Sequence, residues 1–201
     1  MRIEIISGSP RQNSVTKRVV LYLERLLQER TEHEIGVIDV KENLLPAVQG
    51  VFTSIEKTPD EYKPLAERMF AADAFIIVTP EYNGSYSPLM QNMFDHFPKQ
   101  HHKVFGIVTA SPGALGGMRA AMQLQQFIMA LFGIASPYML ITPHVDKKFD
   151  TEGNLTDLTF YKSVDTFVNE FLWLAEKIVE ASPTAPLHIE KEGLQHKTSS
   201  S

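Results

Sequence analysis

The chain has 201 residues, 43% of them hydrophobic, with 19 Lys and Arg against 24 Asp and Glu, a formal net charge of −5. Proteins that bind nucleic acid usually carry a basic stripe, so this charge balance argues against a nucleic-acid partner. The sequence contains no cysteine, which excludes disulfides, thiolate zinc sites, iron–sulfur ligation and thiol catalysis. Composition and length are those of one globular domain with extensions.

The start of the chain and its hydropathy predict where the protein works. A strand-like apolar run begins at residue 2, which leaves no room for a basic segment followed by the apolar core of a signal peptide. No apolar stretch approaches the roughly 18 residues that a membrane span needs. We therefore expect a cytoplasmic protein that is not associated with a membrane.

Short apolar runs alternate with longer amphipathic segments along the chain. Five runs are predicted to be strands: 2–7, 33–40, 74–79, 103–110 and 137–142. The third and fourth are continuously apolar, as expected of parallel strands covered on both faces. In the segment after the first run, Val15, Val19 and Leu23 share one helical face. The alternation predicts an α/β fold, a doubly wound five-stranded parallel sheet with helices on both faces.

Three segments lie outside this alternation. Residues 41–59 show no periodicity and are predicted to form a long loop. The last helical segment carries Trp173 on its polar face, where a large aromatic side chain indicates either an association surface or a position covered by the tail. Residues 182–201, with two prolines and a serine-rich end, are predicted to be a polar tail that is poorly ordered or packed on a partner. The domain is then 1–181.

Ligands of open α/β sheets bind outside the carboxyl ends of the strands. The loop after the first predicted strand carries Ser9, Arg11, Ser14 and Thr16 at the start of a helix. Helix N–H groups, hydroxyls and a guanidinium suit a phosphate dianion. The spacing is neither that of a Walker A loop nor the dinucleotide Gly-x-Gly-x-x-Gly. The alternative is that Ser9 or Ser14 caps the helix and Arg11 is solvated.

Two further loops follow the third and fourth predicted strands. In the loop 79–88, Tyr82 precedes an Asn-Gly pair, so backbone N–H groups can lie against the polar edge of a flat heterocycle while the ring covers its face. The alternative is an ordinary Asn-Gly turn. The loop 111–119 has three glycines within five positions, which either let the backbone approach a ligand closely or form a flexible connector. Together the loops predict a phosphate cradle and two walls of a flat slot.

The three loops, taken in order, resemble the NADPH-dependent FMN reductase family, which includes flavodoxin-like quinone, azo-dye and chromate reductases. The resemblance covers roughly residues 1–140. It rests on three motifs: Ser7-Gly8-Ser9-Pro10-Arg11, Pro80-Glu81-Tyr82-Asn83-Gly84-Ser85, and Ser111-Pro112-Gly113 with Gly116-Gly117. The second motif is the most specific of the three.

The resemblance implies a flavodoxin-like fold, bound FMN, and NADPH or NADH as co-substrate. It implies that four residues hold the FMN phosphate: Ser9, Arg11, Ser14 and Thr16. It implies that six residues line the isoalloxazine: Pro80, Glu81, Tyr82, Asn83, Gly84 and Ser85. The other side of the ring would be closed by Ser111, Gly113, Gly116 and Gly117. Arg11 and Arg119 are candidates for the 2′-phosphate of NADPH.

The activity implied is that of an NAD(P)H-dependent FMN or quinone reductase. Hydride would pass from NAD(P)H to bound FMN, and a small acceptor (a quinone, free flavin, azo compound or oxidised metal) would then be reduced in a ping-pong cycle. The cofactor carries this chemistry, so no side chain is nominated as catalytic and no metal site is expected. The alternative is a flavin-binding electron carrier or redox-responsive binding module without NAD(P)H turnover. Family members usually form dimers, so we expect a homodimer or homotetramer.

The chain departs from the family pattern at three positions. Thr16, Gln91 and His96 stand where the family usually has Asn, Lys and Trp. Two groups of side chains outside the loops also need an interpretation. Three histidines match no standard zinc spacing and are expected to be solvated: His96, His101 and His102. Three methionines of one predicted helix are expected to fill the core or an interface: Met118, Met122 and Met129.

Overall fold

The apolar runs of the sequence form parallel strands in the computed structural model, which describes residues 1–181. The strands are β1 (Arg2–Ser7), β2 (Glu34–Asp39), β3 (Ala74–Thr79), β4 (Val104–Ser111), β5 (Ile134–Ala135) and β6 (Leu140–Pro143). Their order is β2-β1-β3-β4, with β5 and β6 both paired to β4, and every pairing is parallel. The whole of β3 is buried, because helices cover both faces of the sheet.

The last strand differs from the prediction of one continuous strand over 137–142. Val104 of β4 pairs with Ile134, and Val108 of the same strand pairs with Leu140. The two short segments therefore share one position in the sheet, which has six strands instead of five. Pro137 lies between them, and proline has no N–H to donate to a strand ladder. The strand order 2-1-3-4-5 is that of flavodoxin-like proteins, so the prediction of a doubly wound parallel sheet is confirmed.

The helices pack in two layers. They are α1 (Val15–Arg30), α2 (Lys63–Ala71), α3 (Pro88–Asp95), α4 (Met118–Ala130), α5 (Val145–Lys148) and α6 (Tyr161–Ala181), with 3₁₀ turns at Asp60–Tyr62 and Leu158–Phe160. Helices α1 and α6 bury Leu23 and Phe167 against one face of the sheet. Helices α2, α3 and α4 bury Phe94 and Leu124 against the other. The prediction of helices on both faces is confirmed.

The long loop predicted over 41–59 contains neither helix nor strand and is fixed on α3. The Asn92 amide donates a hydrogen bond to the Pro46 carbonyl at 2.9 Å, and the Phe52 N–H donates to the His96 carbonyl at 2.7 Å. The Phe52 ring covers the imidazole of His96, with the ring centroids 5.2 Å apart. The expectation of a solvated histidine is therefore wrong for His96, which is buried.

The C-terminal helix exposes the aromatic residue that the helical projection placed on its polar side. Trp173 is 60% exposed. The tail predicted over 182–201 lies outside the described residues, so its relation to Trp173 stays a prediction. Within residues 1–181, no helix has the length and apolar character needed to cross a membrane.

Candidate functional site

The loops after β1, β3 and β4 meet at the carboxyl edge of the sheet and line a cavity of about 280 Å³. These strands are adjacent and parallel, which is why their ends come together. The lining consists of Ser9, Arg11, Asn13, Ser14, Val15, Thr16, Pro80, Glu81, Tyr82, Ala110, Ser111 and Pro112. We call this space the small cavity. All four residues predicted to hold a phosphate belong to it.

The start of α1 places a buried hydroxyl beside the small cavity. Ser14 occupies the N-cap position, with φ −87° and ψ 119°, but its side chain makes no capping hydrogen bond. Its Oγ is buried and has no hydrogen-bond partner in the part of the chain that the structure describes. The interpretation of Ser14 as a side-chain cap is therefore wrong. Buried hydroxyls are normally paired, so this arrangement at a helix N-terminus indicates a polar ligand.

Arg11 lies on the aromatic face of Tyr82. Its guanidinium carbon is 4.9 Å from the centroid of the tyrosine ring, and the residue is exposed. Among residues 1–181, no carboxylate forms an ion pair with Arg11. A cation–π contact at an exposed site is worth only about 0.5–1 kcal/mol. A charge-assisted hydrogen bond to an anion contributes about 1.5–3 kcal/mol, so the guanidinium can exchange the ring for a phosphate.

The Asn-Gly pair after β3 forms a tight hairpin turn. The N–H of Tyr82 donates to the Ser85 carbonyl at 2.8 Å, and the N–H of Ser85 donates back at 3.0 Å. Asn83 and Gly84 between them have φ 51° and 81°. Positive φ at both central residues is the conformation of a type I′ turn, which Asn-Gly favours. The Asn-Gly turn is confirmed, and it holds Tyr82 beside the small cavity.

A larger cavity of about 890 Å³ shares Arg11, Glu81 and Tyr82 with the small cavity. Its lining consists of Pro10, Arg11, Glu81, Tyr82, Asn83, Ser85, Tyr86, Pro88 and Gln91. Burial raises the pKa of Tyr86 above its ordinary value of 10.0, and the charge of Asp95 raises it further. The Tyr86 hydroxyl therefore stays protonated near neutral pH and can donate a hydrogen bond.

Glu81 joins the loop after β3 to the start of α4. Its Oε2 accepts the backbone N–H of Arg119 at 3.1 Å, and its Oε1 accepts the Arg119 guanidinium at 3.2 Å. The N-cap of α4 is Gly117, which has no side chain, so Glu81 supplies the capping oxygen from a different loop. No local sequence pattern predicts this pairing, because the two residues are 38 positions apart.

The glycines after β4 are required for close packing. Gly116 and Gly117 have φ 62° and 89°. A Cβ at Gly117 would lie 2.8 Å from the Cβ of Thr109, and one at Gly116 would lie 2.6 Å from the backbone nitrogen of Pro143. Packing against β4 and β6, and not flexibility, therefore explains both glycines. From the same loop, Ser111 reaches the small cavity.

Four of the predicted residues lie outside the linings of these two cavities: Gly84, Gly113, Gly116 and Gly117. Gly113 is exposed, and its N–H donates to Ser111 Oγ at 3.0 Å. No group of three or more His, Asp or Glu side chains suited to a metal ion occurs in residues 1–181. The donors that the structure brings together are those of an anion cradle beside an aromatic ring.

The family model described as NADPH-dependent FMN reductase matches residues 1–144. The chain belongs to this family. The resemblance drawn from the three loops is thereby confirmed, together with the flavodoxin-like fold. Membership of the family identifies the protein as an oxidoreductase that works with FMN and NADPH.

Individual relatives agree with the family assignment. The FMN-dependent NADPH-azoreductase of Staphylococcus aureus is 29% identical over 179 residues, which cover 84% of this chain and 92% of that enzyme. The structure of FerB, a flavoenzyme NAD(P)H:(acceptor) oxidoreductase from Paracoccus denitrificans, superposes with a TM-score of 0.68 at 22% identity, covering 88% of this chain and 97% of that one. The structure of an NAD(P)H:quinone oxidoreductase from Methanothermobacter marburgensis superposes with a TM-score of 0.56 at 13% identity. The superposition covers 84% of this chain and 98% of that one. The two structures show the fold.

Proposed function

We propose that the chain holds FMN at the carboxyl edge of its sheet, with the phosphate in the small cavity. The observation that carries this proposal is that a buried Ser14 hydroxyl, which has no hydrogen-bond partner among residues 1–181, lines the same cavity as Arg11. A dianion there would give both groups a partner and would interact favourably with the N-terminus of α1. The proposed phosphate ligands are Ser9, Arg11, Ser14 and Thr16.

The flat ring of the cofactor is proposed to lie between the loops after β3 and β4. The first wall consists of Pro80, Glu81, Tyr82, Asn83, Gly84 and Ser85. The second consists of Ser111, Gly113, Gly116 and Gly117. The type I′ turn supports this proposal, because its shape is fixed by its own backbone hydrogen bonds and does not depend on the ligand. Backbone N–H groups near such a turn can hydrogen-bond the polar edge of a heterocycle.

The residues of this site bind and orient, and none of them is proposed as a catalytic acid or base. When bound, FMN would supply the redox chemistry, namely hydride transfer from NAD(P)H and the reduction of an acceptor by two electrons together with protons, in a ping-pong cycle. Tyr82 lines both cavities and so lies at the boundary between them. Tyr86 lines the larger cavity, where its protonated hydroxyl can donate a hydrogen bond. We propose that this larger cavity admits the nicotinamide and then a small acceptor, namely a quinone, free flavin, azo compound or oxidised metal. The size of that cavity and the azoreductase activity named for the Staphylococcus aureus relative support this proposal.

The test is a titration of the flavin-free protein with FMN, followed by anaerobic addition of NADPH and, separately, NADH. We expect quenching of flavin fluorescence with a dissociation constant at or below the micromolar range, then rapid bleaching of the yellow protein. Ser14→Ala should weaken FMN binding, whereas Ser163→Ala on α6 should leave it unchanged. Absence of FMN binding would contradict the proposal. Binding without bleaching within minutes would favour the electron-carrier alternative.

We propose that the protein forms a homodimer or homotetramer through the outer face of α4. Met118, Met122 and Met129 lie on one helical face and are 43%, 49% and 72% exposed. The expectation that these methionines fill the core is therefore wrong, and the interface remains as their interpretation. Leu115 and Phe132, exposed by 58% each, extend the apolar stripe at both ends. Exposed apolar side chains grouped on one helical face are typical of protein–protein contacts.

Sedimentation of the protein at micromolar concentration tests the assembly. We expect a dimer or tetramer, and we expect Met129→Glu to shift the distribution toward monomers. Leu158→Glu places the same charge on an exposed apolar residue of the 3₁₀ turn before α6 and serves as the control. A monomeric wild-type protein would contradict the proposal.

We propose a cytoplasmic location and a small-molecule acceptor as the partner of the reaction. The family's use of NADPH, a water-soluble co-substrate, supports the location. The net charge of −5 supports the absence of a nucleic-acid partner. Cell fractionation with antibody detection tests the location, and recovery in the membrane pellet would contradict it.

A further inference from the structure

Glu81 and Arg119 connect the two loops that flank the small cavity. Glu81 accepts two hydrogen bonds from Arg119, one from its backbone N–H at 3.1 Å and one from its guanidinium at 3.2 Å. We propose that these residues form a charge-balanced positioning pair. Glu81 fixes the loop after β3 on the N-terminus of α4, and Arg119 neutralises the carboxylate beside the cofactor. This inference rests on the proposed FMN site.

The loop after β3 is braced internally, and it contacts α4 through the bonds between Glu81 and Arg119 and through the Tyr86 ring, which packs on Phe127 with the ring centroids 5.2 Å apart. The Ser87 N–H donates to Thr79 Oγ1 at 3.1 Å and closes the base of the loop. The turn between Tyr82 and Ser85 is closed by its own two backbone bonds. These contacts determine the shape of the loop, but they do not involve α4. The bonds from Glu81 to Arg119 connect the loop to the first turn of α4 beside the small cavity, where they would hold the two walls of the proposed flavin slot together.

The two charges of the pair have different exposure. The side chain of Glu81 is 16% exposed, and that of Arg119 is 66% exposed. Glu81 belongs to the lining of both cavities, whereas Arg119 lines neither and is the more exposed partner. A Cβ at Gly84 would be 3.7 Å from Arg119 Cδ, so the arginine stem also lies beside the type I′ turn. The negative member of the pair therefore faces the site and the positive member shields it from outside.

Charge balance matters because reduction places additional negative charge on a flavin. An unpaired Glu81 carboxylate beside the ring would disfavour the reduced cofactor relative to the oxidised one. An unpaired Arg119 would favour it. Removing one partner at a time should therefore move the midpoint potential of the bound cofactor in opposite directions. A purely structural brace would not produce this opposition of sign, since loss of either partner breaks the same contact.

The experiment compares Glu81→Gln, Arg119→Gln and the double variant with the wild-type protein, all loaded with FMN. The midpoint potential is measured by spectroscopic equilibration with a reference dye, and oxidised FMN affinity by fluorescence. We expect Glu81→Gln to favour binding of reduced over oxidised FMN about tenfold, a rise of about 30 mV for a two-electron couple. We expect Arg119→Gln to shift the ratio about tenfold the other way. The double variant should return close to the wild-type potential.

Two further measurements keep the result interpretable. Arg119→Lys retains the charge and should keep the potential near that of the wild type. Lys177→Gln and Glu180→Gln break an exposed ion pair on α6 and should change nothing. Shifts of the same sign for Glu81→Gln and Arg119→Gln, or unchanged potentials, would overturn the inference. Failure of the wild-type protein to bind FMN would instead overturn the proposed function, so the two failures are distinguishable.

Discussion

Arg11 lies over the ring of Tyr82, with its guanidinium carbon 4.9 Å from the ring centroid. The two residues come from loops that follow β1 and β3, and both belong to the linings of the small and the larger cavity. Their contact therefore forms part of the boundary between the proposed phosphate site and the proposed ring and substrate site. Because the contact is weak and Arg11 has no anionic partner within residues 1–181, the guanidinium is available to a phosphate.

Replacing Arg11 by glutamine should weaken FMN binding by roughly 10- to 100-fold, since a charge-assisted hydrogen bond contributes about 1.5–3 kcal/mol. Riboflavin has no phosphate, so its affinity should be nearly the same for the wild-type protein and the variant. Fluorescence titration with both ligands measures the two effects side by side. An equal loss of affinity for riboflavin and FMN would place Arg11 at the ring and not at the phosphate.

The sheet could be predicted from the sequence wherever a strand is a continuous apolar run. The apolar runs at 74–79 and 103–110 are β3 and β4 within one residue, because burial on both faces demands such a run. The last strand could not be predicted in this way. Pro137 interrupts the ladder, and the two residues Ile134–Ala135 are too short a run to be recognised without the neighbouring strand.

The positions of the site loops could be predicted, but the contacts between them could not. Ligands lie beyond the carboxyl ends of parallel strands, which predicts that Ser14 and Tyr82 lie at one site. Both residues line the small cavity. The bond between Glu81 and Arg119 depends on how two distant loops face each other, which no local pattern contains. The glycines around Gly117 predict either a close approach of the backbone to a ligand or a flexible connector, yet in the structure the missing side chain of Gly117 makes room for Thr109. A glycine in the sequence thus indicates where the backbone has conformational freedom, but not which contact in the fold requires it.

Gly117→Ala should destabilise the protein by about 1–3 kcal/mol. An alanine at φ 89° is strained, and its Cβ would lie 2.8 Å from the Cβ of Thr109. Gly113→Ala is the matched control, because its Cβ would meet only Ser111 Oγ at 3.4 Å and the change should stay within about 0.5 kcal/mol. Urea unfolding followed by circular dichroism gives both free energies. Equal stability of the two variants would show that the tight approach at Gly117 is relieved at no cost.

The free energy of unfolding should depend on pH through Lys103. Burial lowers the pKa of this lysine from 10.5 to about 8, and the charge of Asp73 opposes the shift. Below pH 8 the folded protein carries a partly buried ammonium group, which costs stability. Between pH 8 and 10.5 the unfolded chain binds more protons at this position than the folded chain. The contribution of Lys103 to the free energy of unfolding therefore rises with pH across that window.

Lys103→Met isolates this effect. The substitution removes a partly buried charge, but it also removes the hydrogen bond of 3.1 Å from the Lys103 ammonium to the Met69 carbonyl. At a single pH the difference in unfolding free energy between wild type and variant can therefore have either sign. The slope is not ambiguous: stability of the wild type relative to the variant should increase from pH 8 to pH 10. Urea unfolding of both proteins across that range measures the difference, in which other titrating groups cancel. A difference independent of pH would show that the folded lysine keeps its ordinary pKa.

A buried ion pair joins Glu4 of β1 to Arg68 of α2. Glu4 lies in β1 with its side chain fully buried, and both of its oxygens accept hydrogen bonds from the Arg68 guanidinium, whose Nε is 3.0 Å from Oε1. Glu4 pairs in register with Gly36 of β2. A Cβ at Gly36 would lie 2.6 Å from Glu4 Oε2 and 2.8 Å from Arg68 Nη2, so the glycine makes room for the pair.

Arg68→Met should destabilise the protein by about 3–5 kcal/mol, because it leaves the buried Glu4 carboxylate without its main partner. The double variant Glu4→Met and Arg68→Met removes the stranded charge and should be more stable than Arg68→Met alone. Lys63→Met breaks the exposed pair with Asp60 and should cost less than about 1 kcal/mol. Urea unfolding of the four proteins in the cycle gives the coupling free energy. Additive effects of Glu4→Met and Arg68→Met would contradict this prediction. They would mean that the Glu4 carboxylate is stabilised mainly by water or by Arg2, which lies 3.3 Å away, and not by Arg68.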